Sequence, residues 1–580
     1  MNPTREKLIE AAKAGQFLDV CYGLYLGDNA ELKQILAELH NEGAIDLLVE
    51  FARLGNKEHP APDFFIMRDL FANVLPNLAV AVKKACECVK LLADRAGQDL
   101  AAGMIWEAYQ QFLERDEKRI EEGLRLVIQG DAPAVSLSAV FLAGFSVDFG
   151  VYFEKCADIV RNRAMPDEYR AHALWAFSRL RILSNAAQIA GKILDLLEQL
   201  CEGQESESVL GNIPLVAVGC IVHDSNLGGR VQSIVASVSK PSFLLVQYNL
   251  SRAGILYAKK MPLPLMRCVL FHLVGARMEH KGILCNIDHI LANLLESSHE
   301  DMAIEFLHEF VAGHERGGRI IELSSTLQLL VLNPNKALDI FVTRCFLSSD
   351  RAHLFAVDQL VRHFHGQQQF GVSIDTAQLF EPKTEVAYYL ARKAVGYFYY
   401  IPEACVSYVV SALDAMGDAE RRMFKDIFIN PFALSYSDYL EEYLSDKGAQ
   451  LSDVARDFLA DSCSAAKRHF ADIGHMGEIK ELLPYASQSE IHNRRWALVM
   501  GKAMAEAHKN SLVAAICTNV NLLHGRGWVT YMPGKNGATH RQVDYLKKMG
   551  TSVAFPALWN VDPFGLDYSL RICRAERIVK

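Results

Sequence analysis

Apolar positions recur in steps of three and four along most of the chain. That spacing places them on one face of an α-helix. In SHEDMAIEFLHEFVAG, residues 298–313, the stripe is Ala303, Phe306, Leu307, Phe310 and Val311. Ser298 and Asp301 fit a capping box before it, and Gly313 supplies a stop. In SSDRAHLFAVDQLVRHFHG, residues 348–366, Val357, Leu360, Val361 and Phe364 form the stripe and Gly366 ends it. DAERRMFKDIF, residues 418–428, repeats the idea with Met423, Phe424, Ile427 and Phe428.

The central region predicts helices over Leu265–Met278, Gly282–Leu295, Asp301–Ala312, Arg319–Leu332, Lys336–Leu347 and Asp350–His365. Taken as pairs they begin near 265, 301 and 336. A period of about 35 residues is the size of a helix-turn-helix repeat in an α-solenoid. One amphipathic pair cannot cover its own apolar face, so stacking on neighbours is the physical solution. In period and pattern the chain resembles HEAT-like and TPR-like solenoids. The Trp, Gly and Tyr positions of the tetratricopeptide consensus are absent. The resemblance implies a mainly α fold, a right-handed solenoid-like array of helix pairs. An irregular multi-helix domain is the alternative.

Strand patterns are rare before residue 520. Ile213 to Val222, IPLVAVGCIV, fits a strand or a buried helix, because periodicity does not decide a run this short. The pattern changes at LLHGRGWVTYMPGKNG, residues 522–537. Trp528 to Tyr531 has β-prone composition, and Pro533 to Gly537 is a turn cluster. Arg541 to Leu546 and Thr551 to Phe555 fit second and third strands. The end, GLDYSLRICRAERIVK, is ambiguous. Leu566, Tyr568, Leu570 and Ile572 alternate like a strand, whereas Leu566, Leu570 and Cys573 fit a helix. A small β-containing module that closes the helical array is the expectation, since a terminal repeat has no further neighbour to stack on.

Polar stretches divide the chain. EGQESESVLGN, residues 202–212, is the most linker-like; residues 367–384 form a second irregular joint and residues 446–450 a weaker third. The domains expected are 1–201 (N-terminal helical), 213–366 (central helical repeats), 384–520 (C-terminal helical) and 521–580 (small, basic, β-containing).

Composition narrows the class. Of 580 residues, 51% are hydrophobic and 22% charged, ordinary for a soluble globular protein. The longest weakly polar run, Val135 to Val147, falls short of the roughly 20 apolar residues of a bilayer span. The N-terminal MNPTREKLIEAAKAGQ carries charges where a signal peptide needs an apolar region. The 13 cysteines are scattered, with no C-x-x-C pair, which fits small buried hydrophobes in a reducing compartment. A cytoplasmic location is the expectation.

The net charge of −9 hides an asymmetry. Residues 492–580 hold 13 Lys and Arg against 5 Asp and Glu, a balance of +8, so the remainder carries −17. Within this tail Arg526, Lys535, Arg541, Lys547, Lys548, Arg571, Arg574 and Arg577 are interleaved with Trp528, Tyr531, Tyr545, Trp559 and Tyr568. Basic residues among exposed rings bind single-stranded nucleic acid. The competing reading makes the rings the core of a small module and docks the basic side chains on the acidic body or on a partner.

Motif chemistry fails on inspection. A phosphate loop needs Gly-Lys-Ser/Thr, but Gly534-Lys535 is followed by Asn536. A dinucleotide fingerprint has Thr530 where the third glycine belongs. His308-Glu309 is followed by His314, too far on for a zincin pair, and His363 and His365 do not share a helix face. No Gly-x-Ser-x-Gly elbow occurs. No residue is singled out as catalytic, metal-binding or cofactor-binding. The expected function is a non-enzymatic helical-repeat scaffold or adaptor for protein partners. The alternatives are nucleic-acid association through residues 521–580 and an enzyme site assembled from distant residues.

Overall fold

The apolar stripes become helices. The structure, a computed structural model, describes residues 3–26, 31–55, 63–97, 101–180, 186–239, 243–277, 279–314, 318–332, 336–348, 350–364, 370–475, 486–509, 527–533, 539–545, 558–559 and 562–578. Among these the chain is mainly helical. No helix of the described residues is long and apolar enough to cross a membrane. Residues 1–314 with 322–329 form one compact unit, and residues 315–321 with 330–580 form another.

In the first unit, helices pack against the next element and the next but one. Phe64–Val74, Ala101–Glu114, Ser136–Val147 and Asp167–Phe177 touch in succession, and so do Leu47–Ala52, Val82–Ala96 and Glu117–Ile128. Further on, Ile213–Cys220, Leu244–Leu256 and Lys281–Leu295 make one row, and Gly228–Val238, Leu263–Leu273 and Glu300–Ala312 another. The run at 213–222 is therefore a buried helix, not a strand. Its residues Ile213 to Val218 are all buried, so no exposed face imposes an alternation.

Acidic side chains set several helix starts. The Asp46, Asp116 and Asp148 carboxylates accept from backbone N–H groups in the first turn of the helices that follow them. His280 does the same, with Nδ1 accepting from Ile283 N at 3.2 Å. The capping box at Ser298 and Asp301 does not form. The helix starts at Glu300 behind His299, which makes no side-chain cap bond. Ser297 Oγ, one residue earlier, instead accepts from His299 N at 3.2 Å, a local turn ahead of the helix rather than a cap on it. The stripe it precedes is correct: Ala303, Phe306, Leu307, Phe310 and Val311 are all buried. Val357, Leu360, Val361 and Phe364 are buried likewise, while His365 and Gly366 lie outside the described residues. Met423 departs from its stripe and is 54% exposed, whereas Phe424 and Phe428 are fully buried.

Side chains tie each helix row to the next at a steady separation in sequence. Asn41 Oδ1 accepts from Ala79 N at 2.7 Å, 38 residues on. Asn212 donates to Ala171 O at 3.2 Å across 41 residues. Asn249 donates to Gly211 O at 2.9 Å across 38, and Asn286 to Ser251 Oγ at 3.0 Å across 35. Asp288 Oδ1 accepts from Thr326 N at 2.8 Å across 38. That carboxylate also accepts from Ser325 N at 3.1 Å. It supplies a start signal from another helix, so the segment expected as one helix over Arg319–Leu332 divides into a 3-10 turn, Ile320–Glu322, and a helix, Ser324–Leu332.

The second unit repeats the device. Ala337–Ser348 packs on Arg351–Phe364 and on Lys383–Phe398, which packs on Pro402–Leu413 and Asp418–Ile427. The irregular stretch after Phe370 is extended and held through its backbone. Val372 N, Ser373 N, Ile374 N and Asp375 N donate to Ser407, Asp339, Ser411 and Thr343 side chains, 32 to 37 residues away. The side chains of Phe370, Val372 and Ile374 are buried. Beyond the helix Ala486–Lys509, strands Gly527–Pro533 and Thr539–Tyr545 pair antiparallel, with Gly527 opposite Tyr545 and Pro533 opposite Thr539. The third strand expected at 551–555 lies outside the described residues.

Candidate functional site

The ambiguous chain end resolves as a helix, Pro563–Ala575. Pro563 opens it with φ preset, and Asp562 Oδ1 accepts from Gly565 N at 2.9 Å. Leu566, Leu570 and Cys573 are its buried residues, one helical stripe, while Tyr568 and Ile572 face outward. The alternating pattern is thus a coincidence of composition. This stripe lies on the helix Lys383–Phe398.

Gly396 makes the approach possible. A Cβ there would stand 3.0 Å from Cys573 Cβ and 3.1 Å from Arg574 N, so the two helices meet almost backbone to backbone. Arg574 Nε donates to Gly396 O at 2.6 Å, and its guanidinium lies 5.5 Å from the Tyr397 ring centre. Lys393 is fully buried and donates to Arg574 O at 2.6 Å and to Glu576 O at 2.5 Å. These are carbonyls at the helix C-terminus, where a cation is favoured by the dipole and by unsatisfied acceptors. Arg392 completes the joint with a 2.7 Å ion pair to Glu576.

Burial governs the titrations here. It brings the Lys393 ammonium from 10.5 down to about 8, opposed by the Glu576 carboxylate. It pushes the Glu576 carboxyl up against the pull of Arg392 and Lys393, and it raises the Cys573 thiol. Lys393 and Cys573 are enclosed by the joint, so their role on this geometry is to fasten the chain end.

The basic residues expected to form one surface divide by position. Arg574 is spent on the joint. Arg571 is exposed and pairs with Asp567 at 2.9 Å, one turn back. Arg577 is exposed beside a groove. Arg541 stands opposite Tyr531 in the strand pair. Arg526, Lys535, Lys547 and Lys548 lie outside the described residues. His314, weighed for metal binding, directs Nδ1 to Phe310 O at 2.7 Å and Nε2 to Ala276 O at 2.9 Å.

Next to the joint a groove of about 900 Å3 opens over Phe380, Tyr388 and Met423, with the carboxylates of Glu381, Glu385 and Glu420 around it. Rings and a thioether ringed by acids suit a basic chain segment with an apolar anchor. Sequence reading missed Lys393, Gly396 and this groove. The signal for Lys393 was present: it falls three residues after Leu390 and seven after Val386, on the buried stripe of its own helix. The groove has no such signal, since it is assembled from separate elements. No protein-family model, no curated protein and no solved structure matches this chain.

Proposed function

We propose that this chain is a non-enzymatic, cytoplasmic helical-repeat scaffold, an α-solenoid-like array that binds protein partners within a larger assembly. The observation that carries this reading is the recurrence of side-chain ties at separations of about 38 residues, from Asn41 with Ala79 to Thr326 with Asp288 and again from Ser373 to Asp339. Ties of similar sequence separation are what a stack of similar helix pairs requires, since each pair touches only its neighbours. Such stacks offer long surfaces, and the acidic, ring-lined groove at Tyr388 and Met423 fits a protein segment. Residues 521–580 form, on this reading, a small basic module whose final helix anchors it to the array through Arg574 and Lys393.

Purification of the tagged full-length protein from its own cells, with nuclease and without, tests the proposal. Defined protein companions that survive nuclease are the expected result. A companion that is nucleic acid, lost with nuclease and released steeply by salt, would overturn it in favour of a nucleic-acid role for the basic tail.

A further inference from the structure

The groove beside the terminal joint is built from three separate segments. Phe380 and Tyr388 come from just before and within the helix Lys383–Phe398, and Glu420 and Met423 from the helix Asp418–Ile427. The third side is Glu576 to Ile578, directly after the helix Pro563–Ala575. That wall is in place only while the terminal helix is seated.

Arg392 links this wall to the floor. Its Nη1 pairs with Glu576 Oε1 at 2.7 Å, and its guanidinium lies 5.4 Å from the centre of the Tyr388 ring. Lys393, the next residue, donates to Glu576 O at 2.5 Å. The groove and the joint therefore share the groups that hold them.

Charge and exposure say what the groove takes. Glu381, Glu385 and Glu420 line it against one guanidinium, that of Arg577. These three carboxylates make no ion pair among the described residues, whereas Glu576 is already matched by Arg392. Met423 falls on the apolar stripe of its helix by spacing, yet it is 54% exposed and lines the groove. A ligand side chain that covers Met423 and Tyr388 gains apolar burial, and cationic heads beside it meet the acids. The same acids repel the phosphates of a nucleic acid.

We propose that this groove holds a basic segment of a partner protein, and does so only while residues 576–578 are seated. One aromatic or long aliphatic side chain lies over Tyr388 and Met423, and flanking lysines or arginines face Glu381, Glu385 and Glu420. The proposal rests on the scaffold reading, whose docking surface it specifies. Occupancy and seating are then linked in both directions: the factor by which seating raises affinity is the factor by which the bound segment favours seating.

Fluorescence anisotropy of the full-length protein tests it, with circular dichroism as the folding control. The probe is a labelled peptide with one central tryptophan among lysines and arginines. Micromolar binding at low salt is expected. The same peptide with serine for tryptophan should bind about 5- to 30-fold more weakly, the range for losing a buried anchor. Met423→Ser should cost the tryptophan peptide a similar factor and leave the serine peptide unchanged. Glu385→Lys with Glu420→Lys should weaken both peptides about 10-fold. Amide hydrogen exchange in Pro563–Ala575 reads the link. Saturating peptide should slow it several-fold in the wild type, and Gly396→Leu, outside the groove, should weaken peptide binding. An acidic peptide that binds as well, a tryptophan lost without effect, or exchange that ignores the peptide overturns the proposal. So does a dimer that the peptide dissociates, which would put a second copy in the groove. Protein companions that purify while the peptide fails to bind overturn this proposal and leave the scaffold reading intact. A peptide that binds as expected beside a nucleic-acid companion does the reverse.

Discussion

Lys393 shows what one buried charge does to a joint. Its ammonium satisfies two carbonyls at the end of the terminal helix, yet it has left water to do so. The unfolded chain keeps that proton to pH 10.5, whereas the folded chain gives it up from about 8. Between these values unfolding takes up a proton, so stability gains from rising pH. The cost borne below pH 8 is roughly 3 kcal/mol, from about 1.4 kcal/mol per pH unit. Thermal melts at pH 7.5 and pH 9.5 check this. Lys393→Met should remove the upward slope that Lys393 adds to the wild type, and equal slopes in both proteins would show that the side chain titrates normally. Residues of this kind are only half legible in sequence. A lysine on an apolar stripe announces a buried partner, but the partners, Arg574 O and Glu576 O, lie more than 180 residues away.

At the scale of elements, the terminal helix is seated by close approach as well as by its buried stripe, Leu566, Leu570 and Cys573. Gly396 leaves room for Cys573 and Arg574 to lie against the backbone. A side chain there forces the helices apart, at about 1–3 kcal/mol for an overpacked site. Gly396→Leu should therefore raise the opening of Pro563–Ala575 about 5- to 150-fold while the rest of the array stays folded. Tryptic cleavage at Arg571 and Arg574, timed against the wild type, reads that opening. Unchanged cleavage would mean that the glycine is not what seats the helix. Four of the six central helices were legible in sequence to within a residue at each end, because each carries a long 3.6-period stripe, whereas the helix expected over Leu265–Met278 runs Leu263–Leu273. Glu300–Ala312 and Arg351–Phe364 are examples. Starts set from outside the segment were not. Asp288, from a neighbouring row, fixes the start at Ser324, and no local pattern near residue 319 could report it. The terminal segment failed for the reverse reason: a short run satisfied two periods, and only the surface it lies on chose between them.

For the whole molecule, the helix spacing and the side-chain ties say the same thing at different depths. Helices begin at residues 263, 300 and 337, at the spacing the proposed repeat requires, and buried groups such as Asn249 and Thr326 bond across to the preceding row. Buried amides and carboxylates that bond only to the neighbouring row favour one register over a slipped one, because a slip would leave them unpaired. The candidate groove and the exposed 493–507 stretch of helix add surfaces to this frame without altering it. The most direct test of the repeat account is short-linker cross-linking of the purified full-length protein, read by mass spectrometry. Within residues 1–314 and within residues 330–475, links between different helices should cluster at separations of about 30–45 residues. Links spread evenly over all separations, with as many beyond about 80 residues as near 38, would contradict the repeat and leave an irregular helical domain in its place.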